Sequence, residues 1–159
     1  MRTAGRLWVL ALAVLLTFPG VAVGQDADTR EINAYRLTDA ALAKYVRAAR
    51  AMAPVVKAQD EEDEEDEEDD DSPSIAKLVA WYDAKPEARR AITGAGLTTR
   101  EYVVFTFALF QAGMGAWMVE QQGWSKLPPE FARANVEFYQ RHRASLDSLT
   151  AELKQRDDP

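Results

Sequence analysis

"GLTTREYVVFTFALFQAGMGAWMVEQQG", residues Gly96 to Gly123, decides how the rest of the chain is read. It opens on Thr98-x-x-Glu101, the spacing at which two side chains each satisfy a free backbone N–H at a helix start. From Tyr102 to Val119, eighteen residues carry no charge. Tyr102, Phe105, Leu109, Ala112 and Ala116 share one helical face; Phe107, Phe110, Met114 and Trp117 share another. A helix apolar on two sides is either central in a bundle or in a membrane. The small-residue ladder Ala108, Ala112, Ala116 is of the kind that pairs membrane helices. Against that, Thr106 and Gln111 lie mid-segment, and eighteen residues is the short end of a span. The expectation is a buried central helix.

Amphipathic helices exist on both sides to cover it. Upstream, residues 38–57 read as the first helix of the bundle. Thr38 caps it, and Leu42, Tyr45, Val46, Ala49, Met52 and Val56 form its stripe. Ser72 as cap with Pro73 at the first helical position starts the next helix, striped by Ile75, Leu78, Val79 and Tyr82. Pro86 breaks it into a short further element that Gly94 and Gly96 end. Downstream, Phe131, Asn135, Phe138, His142, Leu146, Leu149 and Leu153 recur at helical steps. Nothing reads as a strand. The predicted fold is all-α, an antiparallel bundle of about four helices with the apolar one central, interrupted by a disordered acidic linker.

That linker, 58–73, contains "DEEDEEDEEDDD", Asp60 to Asp71, twelve acids without a break. Adjacent carboxylates repel and bury nothing, so a solvated tether is expected. Weak association of divalent cations with Asp60 to Asp71 is the functional alternative. The tract lacks the turn-forming Gly and backbone carbonyls of a tight calcium loop. Residues 74–154 complete the bundle, 25–37 is a polar extended lead-in, and 155–159 a frayed tail.

Residues 1–24 read as a secretory signal. Arg2 and Arg6 precede the apolar run Leu7 to Phe18, and Ala22 and Gly24 stand three and one before Gln25. This is the small-x-small pattern of signal-peptide cleavage, placing the mature start at Gln25 and the protein in the periplasm or outside the cell. Without Arg2 and Arg6 the chain holds 17 basic and 26 acidic residues, a net of −9; outside the twelve-residue tract the sum is +3. The tract would compete with phosphates for any basic patch, so no nucleic-acid partner is expected. There is no cysteine. Disulfides, thiol catalysis and cysteine-held metals are thereby excluded.

The stretches "GLTTREYVVFTFALFQAGM" and "NVEFYQRHRASLDSL" resemble those of small exported bacterial helical proteins, over about the last third of the chain. That group has no assigned chemistry, so the resemblance implies no catalytic residue.

Few residues invite a chemical role. Met114 and Met118, one turn apart beside Trp117, with His142 from the last helix, would make a soft-metal set suited to copper. His142 with Met52 is the corresponding haem pair of a four-helix cytochrome, although Met52 stands near the wrong end of its helix. Ordinary core packing explains the same residues. Ser74-x-x-Lys77 matches an acylating-serine motif without the rest of that machinery, and serves equally as a helix start. The sequence therefore points away from an enzyme, with no cofactor. It suggests an exported binding protein whose partner is another envelope protein, a membrane surface or a small apolar ligand. The alternative is a periplasmic copper or haem carrier.

Overall fold

The computed structural model describes residues 22–60 and 74–157, and every regular element among them is helical. Six α-helices follow in order: α1 Ala22–Ala34, α2 Asp39–Asp60, α3 Ile75–Asp83, α4 Pro86–Gly94, α5 Thr99–Gln122 and α6 Arg133–Asp157. A 3₁₀ turn, Trp124–Lys126, links the last two.

Local chemistry sets the boundaries. Thr38 Oγ1 accepts from Ala41 N at 3.2 Å to open α2. Thr98 and Glu101 form the full capping box of α5. Thr98 Oγ1 accepts from Glu101 N at 3.1 Å, and Thr98 N donates to Glu101 Oε2 at 2.7 Å. The Thr98 backbone N–H, and then its side chain, hold the Glu101 carboxyl below the usual carboxylate range. Gly123, at φ +83°, ends α5 and donates its N–H to Val119 O at 2.8 Å. A residue with a Cβ would be strained there.

α5 packs against all five other α-helices, which makes it the centre of the fold. Phe105 is 0% exposed, and Ala108, Ala112 and Ala116 lie at 0%, 2% and 2%. The small-residue ladder is thus occupied within the chain: Ala108 and Ala112 pack with Leu37, Leu42, Phe138 and Leu146, and Ala116 packs with Val136. Gly115 serves the same approach. A Cβ there would stand 2.7 Å from Val136 Cγ2 and 2.9 Å from Phe131 Cδ1, so only glycine lets α6 seat this closely.

Several expectations change. The lead-in of 25–37 is not extended: α1 covers it to Ala34, leaving only 35–38 outside helix. Its helix has little apolar pattern and is tied down by polar side chains. Asp28 Oδ2 accepts from Ile75 N at 2.8 Å, Glu31 pairs with Arg100, and Asn33 Oδ1 accepts from Gln111 Nε2 at 2.6 Å. Among the described residues the α-helices number six rather than about four, because α1 is added and Pro86 separates α3 from α4. The cap of α3 is Ser74, whose Oγ accepts from Lys77 N at 3.1 Å; Ser72 and Pro73 lie outside the described residues. The tail expected to fray from 155 stays helical to Asp157, in a run of good helix formers. α2 runs on through Asp60, so 58–60 belong to it rather than to the linker, and 61–73 lies outside the described residues.

A row of aromatic rings crosses the core. Trp81, Tyr82, Tyr102, Tyr45, Phe105 and Tyr35 follow one another at centroid distances of 4.8, 5.6, 5.3, 4.6 and 6.1 Å. Burial raises the phenol pKa of Tyr45, Tyr82 and Tyr102 above the ordinary tyrosine value; in Tyr82 and Tyr102 the neighbouring phenols add to it. A folded pKa above the unfolded one contributes stability below about pH 10, and that stability drains away as pH rises further. In an alkaline titration these phenols should ionise together with the loss of helix, seen as tyrosinate absorbance and far-ultraviolet dichroism changing in one steep step. Smooth ionisation of all tyrosines near pH 10 with the helix signal intact would contradict this.

Candidate functional site: an apolar groove on the central helix

The two faces of α5 are treated unequally by the fold. The face of Tyr102, Phe105, Ala112 and Ala116 is buried, with Leu109 half-covered. On the other, Phe107 and Phe110 are half-buried, Met114 is 41% exposed and Trp117 is 60% exposed. Of the described helices, α5 is the one long and apolar enough to cross a membrane by length and composition, and 44% of its most apolar window is buried.

A groove of about 650 Å³ opens along this helix. α5 contributes Thr106, Leu109, Phe110, Gly113, Met114 and Trp117; α6 contributes Tyr139, Leu146, Leu149, Thr150 and Leu153. Tyr45 and Ala49 of α2 complete the lining, which among the described residues holds no Asp, Glu, Lys, Arg or His. The α5 residues follow one stripe in steps of three and one, because 3.6 residues make a turn. Gly113 keeps the wall low. A Cβ there would meet the Tyr139 ring at 3.0 Å, so the tyrosine lies directly against the α5 backbone.

Both threonine hydroxyls of the lining are engaged within the protein. Thr106 Oγ1 donates to Tyr102 O at 2.8 Å, and Thr150 Oγ1 donates to Leu146 O at 3.0 Å. Charges nearby are paired across helices: Arg143, one turn beyond Tyr139, with Glu120, and Arg50, beside Ala49, with Glu152 at 2.9 Å.

The candidate metal residues are separated by role. Met114 is on the groove wall, while Met118 is half-buried on α5 and outside the lining. His142 Nε2 is 2.8 Å from Asp39 Oδ1, and its ring tilts against Phe138 at 4.3 Å. Met52 is buried elsewhere, with Ala88, Ile92 and Leu97. Among the described residues no group of three or more His, Cys, Asp or Glu could hold a metal ion. Ser74 and Lys77 are joined as a helix cap. Ala22, Gly24 and Gln25 fall in the first turn of α1, and the apolar run before them lies outside the described residues.

Sequence patterning had singled out Phe110, Met114 and Trp117 as a second apolar face. It put Leu146, Leu149 and Leu153 on the stripe of the last helix, and they wall the groove. Ala49 stood on the stripe of its helix without pointing to a groove, and Gly113 and Tyr139 belonged to no stripe.

No protein-family model, curated protein or solved structure matches the chain.

Proposed function

We propose that this is an exported, non-enzymatic helical protein that binds a small apolar ligand in the groove between α2, α5 and α6. The observation that carries the reading is the charge-free lining on a helix that leaves Met114 and Trp117 exposed. Small-molecule sites are concave, mainly apolar and about 300–1,000 Å³, and this groove falls in that range. Export rests on Ala22 and Gly24 before Gln25, and the resemblance to small exported helical proteins agrees with it. The acidic run that continues beyond Asp60 to Asp71 is read as a tether, since adjacent carboxylates repel and cannot bury apolar area.

The test uses the chain from Gln25 onward and N-phenyl-1-naphthylamine, which brightens in apolar surroundings. It should bind saturably. Met114→Glu, at an exposed site, should leave thermal unfolding unchanged and weaken binding by about tenfold or more, because a charge in the wall opposes desolvation. Absence of saturable binding, or equal binding by Met114→Glu, would refute the groove as the ligand site.

A further inference from the structure

We infer that the ligand is the single hydrocarbon tail of an amphiphile, recognised by its tail alone and with its head left in water. The inference rests on the groove being a ligand site, and three features select this occupant.

The first is shape. Thr106 and Trp117 mark the ends of the α5 wall, eleven residues apart, about 16 Å at the rise of an α-helix. Tyr139 and Leu153 mark the α6 wall, fourteen residues apart, about 21 Å. The lining therefore follows one stripe down each of two helices, a long narrow site rather than a round one. A flexible chain can lie along it, while a compact ring system would cover only part.

The second is the state of the polar groups. The hydroxyls of Thr106 and Thr150 already donate inside the protein. Among the described residues no buried side-chain donor or acceptor lacks a partner. With only the Tyr139 hydroxyl and spare lone pairs on the threonines to meet them, polar ligand atoms entering the groove would lose more hydrogen bonds to water than they regain, a net cost. The bound part is therefore mainly hydrocarbon.

The third is charge. Among the described residues no ionised side chain lines the groove, and Arg143 and Arg50 beside it are paired with Glu120 and Glu152. Nothing there selects an anionic or a cationic head.

The experiment measures the dissociation constant of the chain from Gln25 onward by displacement of N-phenyl-1-naphthylamine, with every amphiphile kept below its micelle concentration. Octyl, decyl, dodecyl and tetradecyl glucosides vary the tail. Dodecyl glucoside, dodecanoate and dodecyltrimethylammonium vary the head. Affinity should rise roughly three- to fourfold per added methylene until the groove is filled, then level off. The three heads should agree within about threefold. Flat dependence on tail length, or a preference of about tenfold or more for one head charge, would overturn the inference. So would two other results: binding to phosphatidylglycerol vesicles without binding of the monomers, which makes the face a membrane surface, or concentration-dependent dimers that exclude the naphthylamine. If the naphthylamine binds but no alkyl amphiphile displaces it, tail recognition fails while the groove reading stands. If the naphthylamine itself fails to bind, the groove reading falls first.

Discussion

Phe105→Asp should leave the protein without a cooperative unfolding transition. Phe105 is 0% exposed, stacked on Tyr45 at 4.6 Å and edge-on to Tyr35 at 6.1 Å, within the cluster formed by Leu37, Leu42, Ala108, Ala112, Phe138 and Leu146. Losing a buried phenylalanine ring alone costs about 3–5 kcal/mol. The aspartate adds the cost of burying a carboxylate among aromatic and aliphatic groups, several kcal/mol more. Together these approach the whole stability of a small domain, about 5–15 kcal/mol. Phe105→Leu serves as the control and should lose about 1–2 kcal/mol while remaining folded. The measurement is thermal and urea unfolding by circular dichroism. A sharp transition in the aspartate variant close to that of the parent would show that α5 is not the packed centre described here.

Asn135→Ala should cost about 2–4 kcal/mol, unusually much for an asparagine. The residue is 3% exposed. Its Oδ1 accepts from Leu37 N at 3.1 Å, and its Nδ2 donates to Tyr35 O at 2.8 Å. One side chain of α6 thus satisfies two backbone groups in the stretch joining α1 to α2. Alanine would leave both without partners, and each buried orphan costs about 1–3 kcal/mol. Urea unfolding reads the loss, and hydrogen exchange at Leu37 locates it. A change under about 0.5 kcal/mol, with exchange at Leu37 unaltered, would mean that water replaces both bonds freely.

Leu109→Ala marks how the groove changes such arithmetic. A fully packed leucine would cost about 2–5 kcal/mol on truncation, but Leu109 is half-buried and lines the groove. Much of the space left behind opens to solvent, so its cost should lie at or below the low end of that range.

Much of the architecture was legible in the residues. The Thr98–Glu101 box set the start of α5, and both of its apolar faces followed from helical spacing. On α6 the stripe from Phe138 to Leu149 points inward as its period requires, with Phe138, Leu146 and Leu149 all buried. α1 was missed for a physical reason. It is held by Asp28, Glu31 and Asn33 reaching Ile75 N, Arg100 and Gln111, partners 47, 69 and 78 residues away. Polar contacts of that range leave no period in the sequence.

The sequence by itself determined that this protein is helical and that one long helix is apolar on two sides, because backbone period and capping are local properties. Only the tertiary structure decided which side is covered. α6 can come close where Gly115 leaves room for Val136 and Phe131, and α1 reaches Gln111 through Asn33. Met114 and Trp117 lie where none of the described helices closes over them. Burial depends on where distant elements end up, and neither hydrophobic period nor residue type specifies that.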